Sequence, residues 1–145
     1  PQLMKERNKN IILTSIAFVL FAISFFLPVT EFSFGTSLNG FQAFVMQGVS
    51  VMSSESYGEY LWKMFLLVTP ILDIVLIFWL LRKNINLVAI IIVGTLAILG
   101  AASWIMRYGE LGILRIGYYY WLILNLALVA INLLNYAKQN KLGDQ

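Results

Sequence analysis

The sequence predicts an all-α membrane protein: a bundle of four transmembrane helices with a partly structured external first loop. Three observations carry this. Of the 145 residues, 60% are hydrophobic and 12% charged, against about 45–50% apolar and about 25% charged in soluble domains. The apolar residues gather into four runs, at 11–27, 60–81, 85–106 and 117–136, each approaching the thickness of a bilayer. The basic residues fall mostly on one side of those runs.

The first run follows Lys5, Arg7 and Lys9 and stops at Pro28. A basic start before an apolar centre resembles a signal peptide, but no small-x-small cleavage site follows, so a retained first span is expected. The other three runs are each about 30 Å long as helices. Segments such as 87–99 are apolar on every face, which disfavours the alternating strands of a β-barrel. The whole chain therefore reads as one four-helix domain, with no internal repeat and no second domain.

Seven of the ten basic residues, Lys5, Arg7, Lys9, Arg82, Lys83, Lys138 and Lys141, share one side. Lys63, Arg107 and Arg115 lie on the other, with Glu31, Glu55, Glu59 and Glu110. Cytoplasmic loops hold the basic excess, so both termini are expected in the cytoplasm. Trp62, Trp104, Trp121 and Tyr118 to Tyr120 fall near the inferred outer ends, where an aromatic belt is expected.

The external connection 28–59 is too long to be structureless in a compact protein. Residues 30–34 alternate polar and apolar, a strand signal, and Asn39-Gly40 reads as a turn. Beyond it Phe41, Phe44, Val45 and Gly48 recur at helical spacing, so 41–47 is expected as a short helix at the membrane surface. A hairpin and a strand followed by a helix both satisfy this pattern. Either forms an apolar cap, because Phe32, Phe34, Phe41, Phe44, Val45 and Met46 require burial. A four-span chain with a large first outer loop resembles the claudins in topology alone; the paired loop cysteines of that family are absent.

Asp73 is the one ionisable residue deep within a predicted span. Placing an aspartate at the bilayer centre costs roughly 2.5–3.5 kcal/mol, so it is expected against a partner or neutralised. Pro70, three residues earlier, lacks an N–H and frees a carbonyl in the preceding turn for a neighbouring donor. Asn125 and Asn132, seven residues apart, share one helix face and are the expected internal partners of Asp73. Gly94 and Gly100, with Ala97, Ala101 and Ser103, form a small-residue face that allows close helix approach. Arg107 and Arg115 are expected to snorkel to the interface, with Glu110 as a local pair.

The chain has no cysteine and no histidine, which removes thiol nucleophiles, disulfides, the usual zinc ligands and imidazole catalysis. No paired carboxylates or phosphate-binding glycine loop appear, and no catalytic residue, metal or cofactor is expected. The net charge of +3 comes without a dense basic tract interleaved with aromatics, so nucleic acid is not an expected partner. The expected partners are the lipid bilayer and other membrane subunits or further copies of the chain. The leading reading is a non-catalytic accessory or structural subunit of a larger membrane complex. The alternative is a small oligomeric channel or transporter built around Asp73 and Asn125. Ile, Asn and Lys usage and the lack of an N-x-Ser/Thr sequon lean towards a bacterial plasma membrane.

Overall fold

A computed structural model describes residues 2–32, 35–82 and 85–143. The chain order is α1 (Gln2–Ser24), β1 (Pro28–Glu31), β2 (Ser37–Asn39), α2 (Gly40–Met52), α3 (Tyr57–Trp79), α4 (Leu87–Leu111), β3 (Ile113–Leu114) and α5 (Ile116–Gly143). Among the described residues three helices are long and apolar enough to cross a membrane: Tyr57–Trp79, Leu87–Glu110 and Ile116–Lys141. This is the pattern of a helical membrane protein. The expected four spans are thus seen as three. Helix α1 opens with the charged residues Lys5, Glu6, Arg7 and Lys9 and ends at Ser24, short of the expected boundary at residue 27. Its last turn tightens as Phe25 and Phe26 donate to Ala22 and Ile23, and Pro28 then opens a strand, where its missing N–H is tolerated at the first position.

The other ends are set by local chemistry. Asn39 caps α2: its side chain accepts from Gln42 N at 2.9 Å while Gln42 Oε1 accepts from Asn39 N at 3.0 Å, a reciprocal box that satisfies two orphan donors. Asn39-Gly40 is therefore a helix start, not the expected hairpin turn. Gly40 is required there, since a Cβ would lie 2.6 Å from the Ser24 carbonyl oxygen and 2.9 Å from Phe25 Cα. Ser56 caps α3 through Glu59 N, and Asn86 caps α4 through Val88 N.

Both proposed forms of the loop are present in sequence: a β1–β2 hairpin, then helix α2. Phe32 N donates to Thr36 O and Gly35 N to Phe32 O across the hairpin end, where Gly35 takes a φ of +82°, open to glycine without a Cβ penalty. Phe34 lies outside the described residues. The connection between α4 and α5 supplies β3, which pairs with the far edge of β1 to give the antiparallel order β2-β1-β3. Two residues carry no readable period, and the strand forms because β1 offers an edge.

Two apolar clusters fill the interior. Ala17, Phe21, Leu76, Ile77, Leu80, Ala97, Leu124 and Leu128 pack at one level of the bundle. Val29, Ala43, Leu66, Ala101, Trp104, Tyr108, Tyr118 and Trp121 pack beneath the sheet and α2, which together form a cap. The small residues of α4 serve both neighbours. A Cβ on Gly94 would meet the Val129 methyls of α5 at 3.0 and 3.1 Å, and one on Gly100 would overlap Thr69 of α3.

Gly100→Ala should therefore lower stability by about 1–3 kcal/mol, the usual cost of overpacking, whereas Gly58→Ala, with nothing within 4 Å of the added Cβ, should be neutral. Denaturant unfolding of both variants in detergent micelles measures the contrast.

Candidate functional site

The polar groups of the bundle meet along the α3–α5 contact. Asp73 is fully buried. Its Oδ2 accepts from Trp121 Nε1 at 2.5 Å and from Asn125 Nδ2 at 3.3 Å. Asn125 also donates to the Trp121 carbonyl at 3.0 Å, one helical turn back. Trp121 and Asn125 are four residues apart and so project from one face of α5, which lets both reach the same carboxyl oxygen. Asp73 Oδ1 and Asn125 Oδ1, both buried, have no hydrogen-bond partner among the described residues.

Asn132 continues that face but meets a different group: its Nδ2 donates to the Leu76 carbonyl at 3.1 Å and to Leu128 O at 2.8 Å. Of the two asparagines expected to partner Asp73, the structure brings Asn125 to it and sends Asn132 to the backbone of α3. Buried Leu128 separates the two polar levels.

Pro70 acts one turn towards the cap. Its lack of an N–H leaves the Leu66 carbonyl without its helical donor, and Trp104 Nε1 of α4 supplies one at 2.8 Å. Trp104 then stacks on Tyr108, with centroids 5.2 Å apart and 9° between planes, and meets Trp121 edge-on at 5.9 Å. Trp104, Trp121 and Tyr118 are buried at 2%, 8% and 2% exposure, so these three are interior groups and not the expected interfacial belt. The two indole N–H groups are used inside, at the Leu66 carbonyl and the Asp73 carboxyl. Trp62, at 42% exposure, keeps a belt-like position.

A second polar cluster seats the cap. Gln47 of α2 is fully buried; its Oε1 accepts from Arg107 Nε at 3.2 Å and from the Tyr108 hydroxyl at 3.5 Å, and its Nε2 donates to Lys63 O at 3.4 Å. Lys63 Nζ donates to Ser50 O at 2.8 Å and pairs with Glu59 at 2.6 Å, placing a cation near the C-terminal end of α2, where the helix dipole favours it. Arg107 thus binds Gln47, and Arg115 pairs with Glu31 across the β1–β3 junction. Neither makes the expected pair with Glu110. Gln47 carried no spacing signal, because its partners lie on other helices; for Lys63 only the pair with Glu59, four residues back, follows from spacing.

The expected cap phenylalanines divide. Phe44 packs edge-on against Phe25 at 6.4 Å and Phe32 is half-buried. Phe41 is 58% exposed, so this chain does not bury it; it heads an apolar stripe on α2 with Val45, Met46, Val49 and Met52.

Between cap and bundle lies a cavity of about 40 Å³, its wall including Ser24, Phe44, Pro70, Trp104, Tyr118 and Trp121. A smaller one of about 10 Å³ sits at the opposite end, beside Trp79, Arg82, Asn132, Asn135 and Tyr136. No group of three or more acidic residues that could hold a metal ion occurs among the described residues. The chain matches no family model, no curated protein and no solved structure.

The Pro70–Trp104 pairing sets up a double-mutant cycle. Trp104→Phe should cost at least about 1–3 kcal/mol by stranding the Leu66 carbonyl. In a Pro70→Ala background, where the backbone N–H can serve that carbonyl, the same change should cost measurably less. Equal costs in chemical denaturation of the two backgrounds would refute the pairing.

Proposed function

We propose that this chain is a four-span membrane protein, both ends cytoplasmic, that works without catalysis as an accessory or structural subunit of a larger complex in a bacterial plasma membrane. The fourth span is α1. One side of it packs into the bundle through Ala17 and Phe21, and the Tyr120 hydroxyl donates to Leu20 O at 2.7 Å. Its other side exposes Ile11, Ile12, Ile16, Phe18, Val19 and Ile23, a surface suited to lipid. The charged first turns then extend beyond the apolar part, and Phe25 to Leu27 add apolar length past the helix end. Orientation rests on Lys5, Arg7, Lys9, Arg82, Lys138 and Lys141, gathered at the end opposite the cap.

One observation carries the functional reading. The small and polar faces of α4 and α5 are spent on contacts within the chain, while α2 leaves Phe41, Val45, Met46, Val49 and Met52 uncovered. A partner subunit is therefore expected on the cap and not between the spans. An uncharged apolar stripe of this kind suits a protein surface of the same character. The alternative, a small channel or transporter around Asp73 and Asn125, draws on the two unpartnered oxygens there. Against it, Asp73 and Asn125 are fully buried and Leu128 is 1% exposed, which leaves no continuous polar path.

Two measurements test this reading. Cysteines placed at Ser37 and Gln139 should label from opposite sides of the membrane, Ser37 from outside; same-side labelling would sink the four-span arrangement. Purification from the native membrane in mild detergent should bring down a second polypeptide at fixed stoichiometry, and Val45→Glu with Val49→Glu should release it while the chain stays folded. Recovery of the chain alone, or of a pure homo-oligomer, would count against an accessory subunit.

A further inference from the structure

Four side-chain atoms in the buried interior lack a hydrogen-bond partner among the described residues, and two of them, Asp73 Oδ1 and Asn125 Oδ1, belong to side chains already joined to each other. Both are acceptors. Two bare acceptors in a buried pair are unfavourable, so the arrangement calls for a donor that the ionised carboxylate cannot supply.

A metal cation is a poor match. Calcium takes 6–8 oxygen ligands and magnesium six in near-octahedral array, whereas two bare oxygens stand here. The N–H groups of Trp121 and Asn125 already point at Oδ2 and would repel a second positive centre. A proton needs only what is present. Bound to Oδ1, it converts one acceptor into a hydroxyl donor, and Asn125 Oδ1 is the acceptor that the hydroxyl can serve.

Access is one-sided. Towards the cap, Trp121 and Pro70 line the cavity, so the indole that donates to Asp73 is also a wall of that space. Its volume is about 40 Å³, with the hydroxyl-bearing side chains of Ser24 and Tyr118 in the wall. In the other direction Leu76, Ile77, Leu124 and Leu128 are packed and buried, and both N–H bonds of Asn132 are spent on carbonyls.

We propose that Asp73 and Asn125 form a proton-binding site, reached from the cap side of the membrane through the cavity under the cap. Asp73 takes its proton from a hydronium ion that leaves as water, past the Trp121 indole that stands between the carboxyl and the cavity; release runs the same step in reverse. Among the described residues no charged side chain is hydrogen-bonded or ion-paired to the carboxyl. Helix α3 carries Glu59 and Lys63 at its cap end, with Lys63 seated against α2. Helix α4 holds Arg107, Tyr108 and Glu110 at that same end, and Arg107 and Tyr108 bind Gln47 there. Helix α1 carries Lys5, Glu6, Arg7 and Lys9 at the far end. Helix α5 brings Tyr118, Tyr119 and Tyr120 near its start and Tyr136 well beyond Asn132. The site therefore binds or releases its proton without a compensating charge nearby. The inference does not depend on the accessory-subunit reading; it needs only the spans.

The test uses the full chain reconstituted in liposomes. Infrared spectra of wild type minus Asp73→Asn should show the C=O stretch of a protonated carboxyl at neutral pH, fading as the medium becomes alkaline. In Asn125→Leu, which keeps Asp73, that band should remain and move to higher frequency as the carboxyl loses its partner. Tryptophan emission should respond to a pH step on the cap side, and Asp73→Asn and Trp121→Phe should lose the response. The amide of Asp73→Asn imitates the protonated carboxyl at nearly the same volume, so assembly should survive; should that variant not fold, the Asn125→Leu band shift still decides. An Asp73 ionised throughout the range where the protein stays folded, a band unmoved in Asn125→Leu, or a response only to a step on the opposite side would each overturn the proposal.

Discussion

A polar atom inside a bilayer has no water to fall back on, and this rule organises the protein around Pro70 and Asp73. Proline withholds one N–H from α3, so the Leu66 carbonyl must find a donor on another helix. Aspartate adds a carboxyl a single turn away, which needs donors of its own. Trp104 of α4 answers the first demand and Trp121 with Asn125 of α5 the second. Helix α3 is thereby fixed against both neighbours at adjacent levels. Lipid gives no hydrophobic reason for helices to associate, so direction must come from such contacts. Each is worth little in isolation, averaging about 0.6 kcal/mol in membrane proteins, yet their geometry admits one pairing of helices.

The aromatic rings follow from the same demand. An indole reaching a buried carbonyl brings a large flat surface into the bundle, and that surface must be packed. Trp104, Tyr108, Tyr118 and Trp121 stack and meet edge-on beneath the cap, an arrangement that suits the ring quadrupoles. The cap lies over these rings, with Val29 and Ala43 touching them from above. It is anchored by Gln47, whose carbonyl oxygen and amide each find a partner on the ends of α3 and α4.

Much of this was legible in the sequence, for reasons that differ by residue. Asp73, Pro70 and Asn125 are conspicuous because a polar or helix-breaking residue within an apolar run requires an explanation. Gly94 and Gly100 are legible because close helix approach demands small side chains, though their separate neighbours, α5 and α3, are not. Trp104 and Trp121 were read as belt residues, since composition cannot tell an indole that seeks headgroups from one that seeks a buried carbonyl. Gln47 stayed hidden because Arg107 and Tyr108 are distant in sequence. The third strand was invisible in principle: Ile113 and Leu114 are strand only because Thr30 and Glu31 present an open edge to them. The end of α1 was the hardest boundary, because the apolar run continues to Leu27 while the helix stops at Ser24, and hydropathy does not register a change of backbone direction.

The β3 strand has a consequence for the order in which the protein is made. The central strand, β1, leaves the ribosome directly after α1, but one of its two edges stays open until residues 113–114 have been synthesised, after α3 and α4 have entered the membrane. Until then the unfinished sheet carries free backbone donors and acceptors, the kind of edge that recruits other strands. Arg115 and Glu31, which close the junction, likewise meet only at that stage. The cap thus begins to form before α3 is made and is completed only after α4, and the nascent chain holds an exposed strand through the insertion of two helices.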